Sequence, residues 1–317
     1  MLRINRGERM PMHDIIPTPS VGLNHVLGGG LWTGRFSLVW GTPSAGKTTM
    51  LLHLLASAQK KGYTAVIVDT EGSITDNWAE KCGVDLSNRI LLQSRIAEDI
   101  LKHIIPMMQE TDGKYIFLID SINGIASESF YKSDEGGGGI ASQARSRRLM
   151  YQKMSEYLSV DNAVIMVAQQ TMDLSGNHPR LMAKIGNAEL HWTTNIVNLF
   201  ASAAKDSIER AGDSNLIVNR EVRWTIEKSK QSPVEGTRGS YWFSPQDADI
   251  DVKMELIDLA VINKIIDKRG AWFYIGETKF HGMKNLVDGV DEKTIDHIRE
   301  QLESGLLTTD SGDIDAA

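Results

Sequence analysis

The 317-residue sequence has one cysteine, Cys82. No disulfide can close within the chain and no cysteine-rich zinc site can be built, which fits a reducing, cytoplasmic setting. No apolar run approaches the roughly 20 residues that span a bilayer. The N-terminus, MLRINRGERMPMHD, has no apolar stretch of the secretory kind. No membrane partner is therefore expected. An excess of positive charge is missing as well: the formal net charge is −7. Taken whole, that balance speaks against a nucleic-acid partner. Its distribution removes the objection, because eight acids against two bases between Asp291 and Ala317 supply −6 of it. The rest of the chain is close to neutral, and local cationic patches remain free to bind. There is also no internal repeat that would mark a solenoid.

Hydrophobic residues at 41% and charged residues at 24% are ordinary for a globular chain. The length allows one large core with a small satellite. Apolar runs rich in Val, Ile and Phe recur at 36–40, 65–69, 115–120, 164–168, 196–200 and 222–226. Such uninterrupted runs suit strands buried on both faces. Segments between them, such as 48–60 and 97–110, carry apolar residues at helical spacing. The alternation predicts an α/β fold with a mostly parallel, doubly wound sheet. Four units are expected: an N-terminal arm at 1–18, a core at 19–248, a small α/β lobe at 249–307 and an acidic, disordered tail at 308–317. Two segments break the pattern. Residues 127–140 contain SDEGGGG, and residues 171–185 contain SGNHP. Both are expected to be long loops after the C-terminal ends of strands, where open α/β sheets bind ligands.

The strongest chemical signal is Gly41-Thr42-Pro43-Ser44-Ala45-Gly46-Lys47-Thr48-Thr49. It matches the P-loop pattern and lies between an expected strand, FSLVW, and an expected helix. Glycines let consecutive backbone N–H groups curl around phosphates at a helix N-terminus that already favours anions. Lys47 would reach the β/γ-phosphates of ATP, and the Thr48 hydroxyl would bind Mg²⁺. The run Tyr115-Ile-Phe-Leu-Ile-Asp120 fits the apolar strand whose terminal acid serves the same metal. Glu71, after VIVDT, read alone fits a helix-start acid as well as a general base. Gln169 at the end of VIMVA fits a polar strand end, and Trp78 fits either a core position or an aromatic stacked on a purine.

From about Pro19 to Lys284 the chain resembles the RecA/UvsX family of DNA strand-exchange recombinases. The resemblance rests on SVGLNHVLGGGLWTGRFSLVWGTPSAGKTT, VIVDTEGSITDNWAEKCGVDLSNRILLQS, FLIDSINGIAS, VAQQ, GNAELHW, IEKSK and LIDLAVINKIIDKRGAWFYI. It implies a RecA-type P-loop ATPase core, a helical filament on single-stranded DNA, and homologous pairing with double-stranded DNA. It makes Glu71 the base that activates water and Gln169 the γ-phosphate sensor. Trp78 becomes the adenine-side aromatic, and Lys228 and Lys230 become cations that act across a subunit interface.

The same resemblance makes residues 127–140 and 171–185 the two DNA-binding loops. Arg145 becomes a DNA contact, with Arg147 and Arg148 beside it, and Arg180, Lys184, Gly186 and Asn187 belong to the second loop. The sequence departs from the family pattern twice. Ile185 stands where a glycine usually precedes Gly186-Asn187, and the arm before the core is short. Two other readings of the same core remain: a regulatory ATPase without strand exchange, and a hexameric helicase motor.

Overall fold

The computed structural model describes residues 12–132, 139–173, 180–202, 204, 207–211 and 216–309, with side chains at 139–141, 170–173, 180–181 and 303–309 outside that description. The described chain enters through an antiparallel pair, β1 (Ile15–Ile16) with β2 (Leu31–Trp32). Between them lies α1 (Val21–Val26), capped by the Ser20 hydroxyl.

A ten-stranded sheet organises the core. Its parallel part comprises β3 (Phe36–Gly41), β4 (Thr64–Asp69), β5 (Arg89–Leu92), β6 (Tyr115–Asp120), β7 (Asn162–Ala168) and β10 (Thr193–Ala201). Across the sheet these run in the order β10-β3-β7-β6-β4-β5. Successive side chains of a strand point to opposite faces, so each strand supplies two cores. Val39, Ile67, Leu118 and Ile165 pack against α2 (Lys47–Lys60) on one face. Leu38, Val66, Phe117, Ile119 and Val164 pack on the other, against α4 (Ala97–Gln109) and α6 (Gly139–Ser155). Two-sided burial explains why these strands read as unbroken apolar runs. Truncating any of these side chains, Leu118 for example, would cost about 2–5 kcal/mol.

Beyond β10 the sheet turns antiparallel through β12 (Ile217–Ser229), β13 (Arg238–Ser244) and β14 (Asp249–Ile250), with β11 (Ile208–Arg210) beside β12. The run at 222–226 was expected among the parallel strands. It pairs antiparallel with β10; among the described residues between the two strands no helix supplies the crossover that a parallel return needs.

The two segments read as loops contain regular secondary structure. Within the first lie α5 (Glu128–Lys132) and the start of α6; residues 133–138 fall outside the described set. The second forms an antiparallel hairpin, β8 (Gln170–Asp173) with β9 (Arg180–Ala183), whose tip at 174–179 is likewise outside it. α3 (Asp76–Lys81) and α7 (Asn187–Trp192) complete the core helices.

The C-terminal part has its own apolar cluster, built on Leu256, Ile257, Phe273, Leu286, Ile295 and Ile298. Around it stand α8 (Val252–Ile262), the antiparallel strands β15 (Asp267–Arg269), β16 (Trp272–Ile275) and β17 (Thr278–His281), α9 (Met283–Gly289) and α10 (Glu292–Thr309). The expected lobe begins at 249, the first residue of β14, yet that strand pairs with β13 and so belongs to the central sheet. The C-terminal helix runs to Thr309, past the expected end of the lobe. Residues 1–11 and 310–317, most of the expected arm and tail, lie outside the described residues.

The lobe is joined to the core by a buried carboxylate. Glu255 on α8 accepts from Ser20 Oγ at 2.5 Å, Val21 N at 2.8 Å and Gly22 N at 2.9 Å. A Cβ on Gly22 would sit 2.9 Å from Glu255 Oε1, so a larger residue there would have to displace the carboxylate. Burial pushes the Glu255 carboxyl up to about 7, against the pull of these three donors. Among the described residues no helix is long and apolar enough to cross a membrane.

Candidate nucleotide site and nucleic-acid loops

The parallel strands end together. Asp69 pairs with Asp120, Asp120 with Val167, and Trp40 with Ala168. This register brings the loop after Gly41, the turn after Asp69, Asp120 and Gln169 to one edge of the sheet, although they are far apart in sequence. Gly41 has φ 154°, and a Cβ there would lie 1.8 Å from the Leu199 carbonyl oxygen. Only glycine lets the chain leave β3 this close to β10. Gly46 then caps α2, directing that helix's free N–H groups into the loop.

Lys47 Nζ donates to the carbonyls of Gly41 at 3.1 Å and Thr42 at 2.9 Å, so its ammonium lies over the first half of the loop. Burial draws its pKa down, and the charges of Asp120 and Glu71 oppose that shift. Thr48 Oγ1 donates to Asp120 Oδ2 at 2.6 Å. Asp120 is buried, and burial foremost pushes its carboxyl up to about 6; Thr48 and Lys47 pull it down, while Glu71 and Asp69 push it further up. Among the described residues no three His, Cys, Asp or Glu side chains form a self-sufficient metal cluster. A hydroxyl and a carboxylate 2.6 Å apart do fit a Mg²⁺ ion that also binds phosphate oxygens and water.

Glu71 is exposed at the mouth of this cradle. Its Oε1 accepts from Ser121 Oγ at 2.8 Å and Gln169 Nε2 at 3.0 Å. The turn that carries it is held by Asp69, whose carboxylate accepts from the backbone N–H groups of Glu71, Gly72, Ser73 and Ile74 at 2.8–3.2 Å. The Asp120–Ser121 peptide is cis. Ser121 N in turn donates to Thr70 Oγ1 at 2.9 Å. Trp78 lies beside α2, its indole N–H donating to Thr49 Oγ1 at 3.2 Å, and packs partly against the core.

Several contributors were not singled out from the sequence: Asp69, Ser121, Asn123 and Arg220, which donates to the Ser44 carbonyl at 3.1 Å. For Asp69 a signal existed, an acid two residues before Glu71 at the close of an apolar run. For the other three the contact depends on strand order.

Lys228 and Lys230 are not at this edge. Lys230 N bonds the Thr194 carbonyl at 2.9 Å, and Thr193 pairs with Phe36 at the start of β3. That is the far end of β3 from Gly41, roughly 17 Å by strand rise. Lys228 Nζ donates to the Leu190 carbonyl and Lys230 Nζ to the His191 carbonyl, both on α7. The pKa of Lys228 is drawn down by burial and by Lys230.

The three arginines of α6 separate. Arg145 and Arg148 are exposed, and Arg145 lines a cleft of about 560 Å³ with Ser129, Ser142 and Lys153. Arg147 is not presented with them, contrary to the expectation that it adds to a DNA-facing patch. It is buried, its Nε 2.8 Å from Glu189 Oε1, and Tyr151 OH donates to the same oxygen at 3.2 Å. Arg147 shares the helical phase of Met150, Tyr151 and Met154, all buried, so its charge is consumed by Glu189. In the second segment Lys184 and Asn187 are exposed, and Gly186 N donates to Glu189 Oε2 at 2.9 Å. Ile185 packs against the second core cluster. The side chain of Arg180 is outside the described set, though its backbone pairs with Asp173.

The family model described as the RecA N-terminal domain matches residues 2–234. "Protein RecA" of Mycobacterium ulcerans is 30% identical over 328 residues, covering 98% of this chain and 90% of that protein. "Protein RecA" of Acholeplasma laidlawii is 30% identical over 295 residues, covering 88% and 83%. The "Mitochondrial DNA repair protein recA homolog" of Dictyostelium discoideum is 28% identical over 304 residues, covering 92% of this chain and 64% of its own length.

Proposed function

This chain belongs to the RecA family of DNA recombination and repair ATPases, and we propose that it hydrolyses ATP with Mg²⁺ while assembled as a helical filament on single-stranded DNA, where it pairs homologous duplex. The observation that carries this reading is the contact of Glu71 with Gln169 at 3.0 Å, where the phosphate edge meets the root of the β8–β9 hairpin. It joins the acid suited to activate water to the segment suited to hold DNA.

The chain's own groups divide the work. The loop of residues 41–49 and Lys47 hold the β- and γ-phosphates. Thr48 and Asp120 would hold Mg²⁺, which would supply positive charge to offset that of the phosphates. Glu71, its Oε1 oriented by Ser121 and Gln169, takes the proton of the attacking water. Trp78 supplies an aromatic face beside α2 for the purine. Lys228 and Lys230 turn their side chains to carbonyls of α7 rather than to their own P-loop, and we assign them to the γ-phosphate of an adjacent copy. A head-to-tail interface of this kind does not close, and it generates a filament. Arg145, Arg148, Arg180, Lys184, Gly186 and Asn187 contact the single strand mainly through phosphates.

Electron microscopy of the protein with single-stranded DNA and a non-hydrolysable ATP analogue tests the reading. Helical filaments are expected. Closed rings would favour a helicase motor, and free particles a regulatory ATPase.

A further inference from the structure

Asn123 occupies a place that the catalytic scheme does not use. It sits in a 3-10 turn, Ile122–Gly124, that follows Asp120 and Ser121 directly. Its two amide atoms reach the two ends of one hairpin. Oδ1 accepts from Gln169 N at 2.6 Å, just before β8 begins, and Nδ2 donates to the Lys184 carbonyl at 2.6 Å, just after β9 ends. The same two residues bond each other, Lys184 N to the Gln169 carbonyl at 2.7 Å. Both partners of Asn123 are backbone groups of fixed polarity. Its oxygen must therefore face Gln169 and its nitrogen Lys184.

The five residues from Asp120 to Gly124 thus contact three things at once. Asp120 accepts from Thr48, Ser121 donates to Glu71, and Asn123 grips the hairpin root. Gln169, whose backbone Asn123 fixes, sends its own side chain to Glu71. On either side of Lys184, Ala183 is buried and Ile185 packs in the second core, so the returning strand is anchored as well. A displacement at the phosphate edge reaches the hairpin through a polar path no longer than two side chains. Without the clasp, Gln169 remains attached to the hairpin only through its own chain and its one bond with Lys184.

Resting on the reading of the hairpin as a DNA-binding segment, we propose that Asn123 is a positioning residue. It clamps both ends of the β8–β9 hairpin to the segment that carries Asp120 and Ser121, and so couples nucleotide state to single-stranded DNA affinity. It touches neither ligand and acts through Gln169 and Lys184. Coupling is a ratio, so a loss of folded protein or of DNA contacts does not imitate its loss.

The test measures the affinity of the full chain for a fluorescein-labelled oligo-dT, with and without a non-hydrolysable ATP analogue. The expected wild-type enhancement by nucleotide is about 5–150-fold, the usual span of allosteric coupling. In Asn123→Ala the nucleotide-free affinity should stay within about threefold of wild type while the enhancement falls below about threefold. Asn123→Asp keeps an acceptor for Gln169 N but sets a carboxylate oxygen against the Lys184 carbonyl, and it should lose the enhancement too. Hydrogen exchange at the Lys184 amide should quicken in both variants. Wild-type enhancement in either variant overturns the clasp while leaving the DNA reading intact. A wild-type chain that does not bind oligo-dT overturns the DNA reading, and the clasp with it.

Discussion

At one edge of the parallel strands, side chains bind side chains: Thr48 to Asp120, and Glu71 to both Ser121 and Gln169. At the opposite edge, Lys228 and Lys230 bind only backbone carbonyls of α7. The difference is one of charge balance. The first edge gathers Asp69, Glu71 and Asp120 around one lysine; burial foremost, with the charges of Glu71 and Asp69 adding to it, pushes Asp120 up to about 6. Such an edge has room for cations, a metal ion among them. The second edge holds two ammonium groups on backbone carbonyls, with the charge of Glu235 acting on Lys228. On the function proposed above, each copy carries half of a charge-compensated site at either end of the same strands, and a second copy would join the halves.

Lys47→Ala breaks the first edge most severely, because it removes the side-chain cation of the phosphate cradle. Hydrolysis should vanish, and binding of a fluorescent ATP analogue should weaken with it. Glu71→Gln sharpens the comparison. Turnover should fall by at least about 10²-fold, the scale of losing a general base, with nucleotide still bound. Wild-type turnover in Glu71→Gln would remove Glu71 from the chemistry.

Acid should act on the same edge. On the proposed reading Asp120 must be ionised to hold Mg²⁺, so the hydrolysis rate should fall in acid, with a midpoint no higher than about 6. Added Mg²⁺ should move that midpoint lower, since metal and proton compete for one carboxylate. Stability runs the other way. A carboxyl raised from the ordinary 3.8 to about 6 favours its protonated form in the folded chain. Nucleotide-free protein therefore gains stability from Asp120 as pH falls from about 6 toward 4, and Glu255, raised to about 7, adds the same sign from slightly higher pH. A midpoint insensitive to Mg²⁺ would exclude Asp120 as the titrating group.

The smallest effects on hydrolysis should come from α6, where neighbouring arginines have opposite roles. Arg147→Ala leaves the Glu189 carboxylate buried without its partner and should cost about 3–5 kcal/mol in urea unfolding. Arg145→Ala should leave stability nearly unchanged. It should weaken single-stranded DNA binding for every sequence and reduce the salt slope by about one. Equal unfolding midpoints for the two variants would contradict the contrast.

How much of this was legible follows from how far each feature reaches along the chain. The P-loop is contiguous, and two-sided burial writes itself into unbroken apolar runs, so the parallel strands and the phosphate cradle were readable directly. The antiparallel character of β12 was readable too, since Val222, Trp224 and Ile226 are buried while Arg223 and Thr225 are not. Arg147 could have been separated from Arg145 by its phase with Met150, Tyr151 and Met154. Ser121 meeting Glu71, and Asn123 meeting Gln169 and Lys184, were not legible. Those contacts exist only because β4, β6 and β7 lie side by side, an order no local pattern states.

The central claim is that the two edges complete each other between copies, and mixing two inactive variants tests it most directly. Lys228→Ala/Lys230→Ala should lose about 10³–10⁵ in DNA-stimulated ATPase, the scale of a cation supplied in trans. Combined with Glu71→Gln across a range of ratios, it should regain activity at interfaces that pair intact lysines with an intact Glu71. Recovery that peaks at intermediate ratios is the predicted result. Two variants that co-assemble on DNA yet restore nothing at any ratio would contradict it.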